Sequence, residues 1–182
     1  METNTNRVGA LERFFVEIYN SESDAIFRFC LLRTSDREVA VDFTQDTFMR
    51  FWKSLLLEKD IRNHRTFLFT IARNVIIDWY RKKKTLSTEA LMEGEYEGRL
   101  ISPHLIAKED VEVETEAKFL VGKIRELPEP YADAVYLRCV EELKPRDIAE
   151  ILGESANVIS VRISRGLGQL RQMLHIENVK AI

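Results

Sequence analysis

Apolar residues recur at helical spacing along most of the chain, and strand-like alternation bounded by turn residues is hard to find. The pattern predicts an all-α protein. Capping and breaking residues place its helices at Val8–Tyr19, Asp24–Leu32 with Ser23 as N-cap, Asp36–Leu56, His64 onward, Lys108–Leu127, Tyr131–Val140 and Arg146–Leu152.

The long helix Asp36–Leu56 has one apolar row and one polar face. Residues at steps of four share a helical face, so the row is predicted to build a core. The row consists of Val39, Phe43, Thr47, Phe51 and Leu55. The polar positions beside it are expected to stay available to a partner.

The stretch from residue 63 to residue 84 combines an apolar row with exposed aromatic residues and four consecutive cations at its end. The row Phe67, Leu68, Ile71, Val75 and Trp79 predicts a buried helical face. Two interpretations stay open at this point. The segment is either a core helix with a solvated basic end, or a surface that opens a nucleic-acid duplex.

Charge is unevenly distributed, although the net charge is only −3. Residues 1–85 carry 15 Lys and Arg against 12 Asp and Glu, and residues 86–127 carry 5 against 10. The stretch 85–103 contains two glycines, a proline and many acids without sustained periodicity. We therefore predict an acidic, flexible or partner-ordered linker over 85–107, between helical domains at 8–84 and 108–176.

A helix-turn-helix pattern lies in the second domain. Gly153 suits the left-handed residue after a helix, and Ser155 can cap the helix that follows immediately. Small Ala149 stands where the two helices must approach, and Ile159 can fill the angle between them. These features predict a module that places a helix in a DNA groove.

Composition excludes several other classes. The hydrophobic fraction of 45% is sufficient for real cores, and no apolar run reaches signal-peptide length or the roughly 20 residues of a membrane span. We expect a cytoplasmic protein without membrane insertion. Cys30 and Cys139 are interpreted as two reduced core thiols, and the three histidines are scattered. With no catalytic or metal-spaced constellation, we expect neither enzymatic activity, nor a metal, nor a cofactor.

The order of these segments resembles the bacterial extracytoplasmic-function group of sigma factors. The resemblance runs over about residues 11–174 through AVDFTQDTFMRFW, TFLFTIARNVIIDWYRKKK, the acidic linker and LPEPYADAVYLRCVEELKPRDIAEILG. It implies a subunit that directs core RNA polymerase to promoters and initiates DNA melting. Region 2 would bind the beta-prime clamp and the −10 element, and region 4 the beta flap and the −35 element.

The resemblance assigns polymerase binding to the DFTQD helix. Carboxylates and an amide at i, i+3 and i+4 form one patch that suits a basic coiled coil. The candidate contacts are Asp42, Gln45, Asp46, Phe48 and Met49. An ordinary solvated helix face is the alternative.

The resemblance assigns −10 recognition to the connector before His64 and to the helix after it. A base that leaves its stack needs a pocket and planar partners, while cations hold phosphates without reading sequence. Trp79 is expected to be core, and Asp78 to orient Arg81. The candidates are Lys59, Arg62, Asn63, Arg73, Asn74, Asp78, Tyr80, Arg81, Lys82 and Lys83, with Lys84 continuing the phosphate contacts.

The resemblance assigns −35 recognition to the helix after Ser155, where the chain departs from the family pattern. The candidates are Asn157, Ser160, Val161, Arg162, Ser164 and Arg165. Val158 replaces a hydroxyl, and Ser160 and Leu167 replace cations. Gly166 and Gly168 each cost a helix about 1 kcal/mol relative to alanine. We therefore expect −35 recognition that is weaker or differently specified.

The family also implies an inhibitory anti-sigma protein, which no residue of this chain identifies. Two alternatives remain beside the sigma-factor interpretation. One is a helix-turn-helix regulator that binds an operator without polymerase, although such a protein needs neither the DFTQD helix nor the aromatic-basic segment. The other is a polymerase-binding adaptor without melting activity.

Overall fold

The computed structural model describes the backbone of residues 2–92 and 116–174, and the side chains of residues 7–83 and 119–174. Within those ranges the chain forms seven α-helices and no strand, which confirms the all-α prediction. Contacts divide the chain into two compact units, and the division falls inside the undescribed segment 93–115.

The first unit holds three helices and the second holds four. The first contains α1 (Glu2–Thr34), α2 (Arg37–Leu56) and α3 (His64–Met92). The second contains α4 (Glu116–Arg125), α5 (Glu129–Cys139), α6 (Pro145–Leu152) and α7 (Ala156–Met173).

Helices α1, α2 and α3 each pack on the other two around an aromatic core. Phe29, Phe51 and Phe69 are all at most 1% exposed, one from each helix. The rings of Phe29 and Phe69 meet edge to face, with their centroids 5.4 Å apart. Each such side chain contributes about 1.5–3 kcal/mol through burial, so this core holds the unit together.

Helix α1 is continuous, so the prediction of two helices with Ser23 as an N-cap was wrong. The polar residues at 20–23 include no glycine or proline that would break the helix. The Ser21 hydroxyl donates a hydrogen bond to the Ile18 carbonyl at 3.1 Å, one turn back. The serines are thus accommodated within the helix, and its next turn buries Ala25 and Ile26.

Helix α2 begins and ends close to its predicted limits. Asp36 is its N-cap, and the Asp36 Oδ1 atom accepts a hydrogen bond from the Val39 amide at 3.1 Å. In the predicted row Phe43, Thr47 and Phe51 are buried, whereas the two end positions are half-buried. The row therefore faces the core as predicted.

Helix α3 continues to Met92, so the predicted linker was wrong over residues 85–92. This stretch contains leucine, alanine and methionine, which favour helices, and it contains no glycine, since the next one lies beyond it at residue 94. Residues 93–107 of the predicted linker lie outside the described part of the chain. So do residues 108–115 of the predicted helix Lys108–Leu127, of which the structure describes Glu116–Arg125 as helix.

The second unit places α7 against α5, α6 and α4. Its core includes Val135, Leu137, Ile148 and Ile151, all at most 1% exposed. The LPEP segment stops α4 as predicted, and Pro128 occupies the N-cap of α5. The remaining helices of this unit match the predicted ones to within two residues.

The helix-turn-helix prediction is confirmed in detail. Gly153 ends α6 in the left-handed conformation with φ 68°, where a side chain would be strained. The Ser155 hydroxyl accepts a hydrogen bond from the Val158 amide at the start of α7. Ala149 is buried and Ile159 has no exposed surface, which fixes the angle between α6 and α7.

The two cysteines differ in environment. Cys30 is buried, and its burial raises the pKa of the thiol to about 12, with a smaller opposing effect from the Thr44 hydroxyl. Cys139 lies at the surface. The prediction of two core thiols is therefore confirmed for Cys30 and wrong for Cys139, which follows the last turn of α5 out of the core.

Candidate nucleic-acid and polymerase interface

The outer face of α2 carries the four predicted polymerase contacts that reach solvent. Asp42, Gln45 and Met49 are exposed, and Met49 is 58% exposed despite its apolar side chain. Asp46 lies between them and is bound by Arg50, with Nε–Oδ1 at 3.1 Å and Nη2–Oδ2 at 2.9 Å. This face thus offers an apolar side chain beside two carboxylates, one of which is held in place.

Phe48 cannot belong to that face, and the prediction that it contacts a partner was wrong. Its side chain is 2% exposed. The ring packs edge to face against Tyr19 at 4.8 Å and Phe15 at 6.2 Å between centroids, so α1 covers it. Phe48 supports the outer face from beneath, whereas its neighbour Met49 points outward.

The connector between α2 and α3 presents three predicted −10 contacts, all exposed: Lys59, Arg62 and Asn63. The Arg62 Nε atom lies 3.7 Å from an Asp60 oxygen, and both side chains are at least 85% exposed, so this ion pair is weak. Asn63 also has a structural role, since its Oδ1 atom accepts a hydrogen bond from the Thr66 amide at 3.1 Å. Asn63 therefore caps α3, which the sequence interpretation missed.

The outer face of α3 carries the remaining −10 candidates. Arg73 is half-buried. The candidates that are exposed are Asn74, Asp78, Tyr80, Arg81, Lys82 and Lys83. Helical spacing thus extends a polar and cationic strip along about three turns, and the side chain of Lys84 lies outside the described residues.

Two aromatic residues near the end of this strip contact the other two helices of the first unit. The Tyr80 hydroxyl donates a hydrogen bond to the Arg33 carbonyl at 2.6 Å, while 43% of the residue stays exposed. Trp79 is half-buried and meets Phe43 edge to face at 5.8 Å. The Lys83 ammonium lies 4.8 Å from the centre of the Trp79 ring. Trp79 thus anchors α3 on α2, as expected, and its remaining face holds a cation.

The predicted −35 contacts lie on the outer side of α7. Those that are exposed are Asn157, Ser160, Val161, Ser164 and Arg165. Arg162 is more enclosed, with 25% of its side chain exposed, and its Nη2 atom lies 2.7 Å from the Glu154 Oε1 atom in the turn. Arg162 is therefore held back toward the turn in this structure.

A shallow groove of about 660 Å³ runs beside the start of α7. Its walls are apolar residues with cations among them: Pro128, Pro130, Tyr131, Asn157, Val158, Val161, Arg162 and Arg165. The sequence interpretation missed the α5 side of this groove. The consecutive LPEP and tyrosine positions marked only a helix start there, and nothing local indicates that α7 lies opposite them.

Neither unit offers a metal centre or a membrane span among the residues that are described. No group of three His, Cys, Asp or Glu side chains in those ranges could hold a metal ion. No described helix is long and apolar enough to cross a bilayer.

Comparison with known proteins identifies both units. The family model for sigma-70 region 2 matches residues 18–85, and the model for sigma-70 region 4 matches residues 120–170. The chain is 30% identical over 166 residues to the ECF RNA polymerase sigma factor SigW of Bacillus subtilis, covering 88% of each chain. This chain belongs to the extracytoplasmic-function sigma factors. SigM of the same organism is 32% identical over 149 residues, covering 80% of this chain and 86% of that one.

Two solved structures share the fold of this extracytoplasmic-function sigma factor. The sigma factor RpoE in complex with the anti-sigma factor NepR from Bartonella quintana matches with a TM-score of 0.67 and 20% identity, covering 91% of this chain and 99% of that one. CnrH in complex with the cytosolic domain of CnrY matches with a TM-score of 0.63 and 18% identity, covering 92% and 91%.

Membership of this family confirms the main functional prediction. The protein is a sigma factor that directs RNA polymerase to promoters, with a DNA-binding helix-turn-helix in region 4. The alternatives of a polymerase-independent regulator and of an adaptor are not favoured. Sigma factors are regulatory subunits and not enzymes.

Proposed function

We propose that the outer face of α2 binds core RNA polymerase through its beta-prime clamp, using Asp42, Gln45, Asp46 and Met49. The observation that carries this proposal is Met49, an apolar side chain left 58% exposed on the same helical face as two carboxylates. An exposed apolar anchor next to charges is typical of a docking surface, because the anchor supplies affinity and the charges supply orientation. Phe48 holds this surface from within.

We propose that the strip on α3 and the connector before it capture the −10 element. Asn74 and Arg81 are exposed and planar, which suits contacts with unstacked bases. Lys82 and Lys83 lie beyond them at the surface and would hold phosphates. The limits 8–84 and 108–176 of the two functional regions are part of the same proposal.

In the second unit, α7 reads the −35 element, and the unit also contacts the beta flap. Few cations face outward on this helix, since Ser160 and Leu167 stand where the family carries basic residues. Promoter choice by this protein therefore depends on the −10 element, or on a recruiting partner, more than on −35 contacts.

The protein acts in the cytoplasm without covalent chemistry of its own, and melts DNA through binding energy. An anti-sigma factor regulates it. Two structural matches support this partner. RpoE was solved in complex with the anti-sigma factor NepR, and CnrH was solved in complex with the cytosolic domain of CnrY.

Transcription in vitro with core polymerase tests the assignment of the two surfaces in the first unit. Met49→Ser should weaken binding to core enzyme, whereas Val16→Ser, at an apolar position of α1 that is 53% exposed, should not. Asn74→Ala should leave core binding intact and impair open-complex formation. Asn20→Ala on the exposed side of α1 is its matched control. The reverse pattern, with Asn74 needed for core binding and Met49 for melting, would refute the assignment.

A second comparison tests the weight of the −35 element. Promoters with a scrambled −35 sequence should keep most of their activity, whereas promoters with a scrambled −10 sequence should lose it. If activity falls to background with the −35 sequence scrambled and no partner present, reliance on the −10 element alone is refuted.

A further inference from the structure

Two valines at the start of α7 are exposed and lie outside the buried core. Val158 is 37% exposed and Val161 is 48% exposed, and both line the groove beside α7. Residues three apart share a helical face, so the two side chains lie next to each other. The core position between them is taken by Ile159, which has no exposed surface and points the other way.

Two polar side chains near these valines are engaged within the protein. The Ser160 hydroxyl donates a hydrogen bond to the Ala156 carbonyl at 2.9 Å. Arg162 is paired with Glu154 at 2.7 Å. Beside Asn157, the first two turns of this helix therefore present two branched apolar side chains on the face that would meet DNA.

Thymine is the base that such a surface can distinguish. In the major groove each base pair shows a distinct pattern, and thymine adds a 5-methyl group that apolar side chains contact. Cytosine has no methyl group at that position and instead presents an amino donor, which a valine cannot satisfy. Asn157 and Arg165 flank the two valines and are exposed, so they can contact DNA and place the valines in its major groove.

We propose that Val158 and Val161 read thymine methyl groups in the −35 region, so that specificity there comes from apolar contact more than from hydrogen bonds. This inference rests on the proposed function, in which α7 enters the major groove. Each buried methyl is expected to change affinity about four-fold, which corresponds to about 0.8 kcal/mol. Two methyl groups read independently would give about a sixteen-fold preference.

Replacing thymine by deoxyuridine tests the proposal, because the two bases pair identically and differ only in the methyl group. The holoenzyme, assembled from core polymerase and the full chain, first selects duplexes from a pool with a randomised −35 region. Each thymine of the selected sequence is then replaced in turn, and holoenzyme affinity is measured. We expect replacement by deoxyuridine to lower holoenzyme affinity about four-fold at one or two positions, which we call the uracil effect. In Val161→Ser this effect should disappear at one of those positions.

Controls separate this inference from the proposed function. Met173→Ser changes another exposed apolar residue, 37% exposed, at the far end of α7 and should keep the uracil effect. If no −35 sequence is selected, or if Arg165→Ala leaves the selected sequence equally well bound, both the inference and the proposed role of α7 fail. If selection depends on Arg165 but no uracil position matters, the inference alone fails. Loss of core binding in Val161→Ser with an unchanged uracil profile would assign the valines to a protein contact and overturn it.

Discussion

Replacing Gly166 by alanine should weaken the second unit, whereas replacing Gly168 should strengthen it. Gly166 is buried where α7 crosses α5. A Cβ atom at Gly166 would lie 2.6 Å from Val135 Cγ2 and 3.2 Å from Tyr131 Cβ, and contacts this short force a shift. A Cβ atom at Gly168 would meet nothing within 4 Å.

The magnitude follows from two opposing contributions. Each alanine gains about 1 kcal/mol of helix propensity over glycine. Overpacking a core costs about 1–3 kcal/mol, and here the upper half applies, because Val135 is fully buried and β-branched, and the Tyr131 Cβ atom is fixed to the backbone. The Gly166→Ala change should therefore cost about 1–2 kcal/mol net. Propensity cancels between the two variants, so their difference of about 2–3 kcal/mol measures the close approach alone.

The chain provides an internal control for this experiment. Both tryptophans, Trp52 and Trp79, belong to the first unit, so their fluorescence should report an unchanged unfolding transition there. Amide hydrogen exchange in α5 and α7 reports the stability of the second unit. Protection in its slowest amides should fall about 5- to 30-fold in Gly166→Ala and rise up to about 5-fold in Gly168→Ala. Equal shifts in the two variants would refute the close approach of α7 to α5.

Three further predictions concern single side chains. Asn63→Ala should destabilise the first unit by about 0.5–2 kcal/mol in fluorescence-monitored unfolding, and Asn63→Asp should not, because aspartate also caps a helix. Burial raises the pKa of the Cys30 thiol to about 12, from an ordinary value of 9.0, so the unfolded chain loses this proton at a lower pH than the folded chain. The free energy of unfolding measured in urea titrations should therefore fall between about pH 9 and pH 12. Glu154→Gln should free Arg162, tighten holoenzyme binding to promoter DNA, and steepen its salt dependence by about one unit.

Each of these has an outcome that would contradict it. Equal unfolding midpoints for Asn63→Ala and the wild type would show that the cap contributes nothing. A Cys30→Ala variant with the same alkaline loss of stability would assign that loss to other groups. DNA affinity unchanged in Glu154→Gln, with the same salt dependence, would mean that Arg162 already leaves Glu154 when DNA binds.

The helix-turn-helix was predictable because its residues act locally. Gly153 ends a helix through its own backbone freedom, and Ser155 caps the next helix through an atom three residues away. The same holds for Asp36 at the start of α2. Such effects depend on a few neighbouring residues, so they can be read from the order of the chain without knowing what packs on it.

Other features depended on residues far apart in the chain. The polar positions at 20–23 resembled a break, yet α1 runs through them because aromatic residues on either side pack on neighbouring helices, Phe15 against Phe51 of α2 and Phe29 against Phe69 of α3. The sequence placed Asn63 in a base-capturing loop, and the structure adds that its amide oxygen is occupied by the cap of α3. A side chain near a helix start can serve either purpose, and only the backbone geometry distinguishes them.

The sequence by itself determined the helical class, the order of the two regions, the turn chemistry and the family, because these follow from periodicity, local conformational preference and motif spacing. Tertiary structure alone decided which residues at the edge of a helical face are covered by a neighbouring helix. Phe48 and Met49 are neighbours in one motif, but a helix turns about 100° per residue, and α1 covers the first and leaves the second 58% exposed. Likewise Gly166 was a weak point in a helix by sequence, and became a requirement once Val135 lay against it.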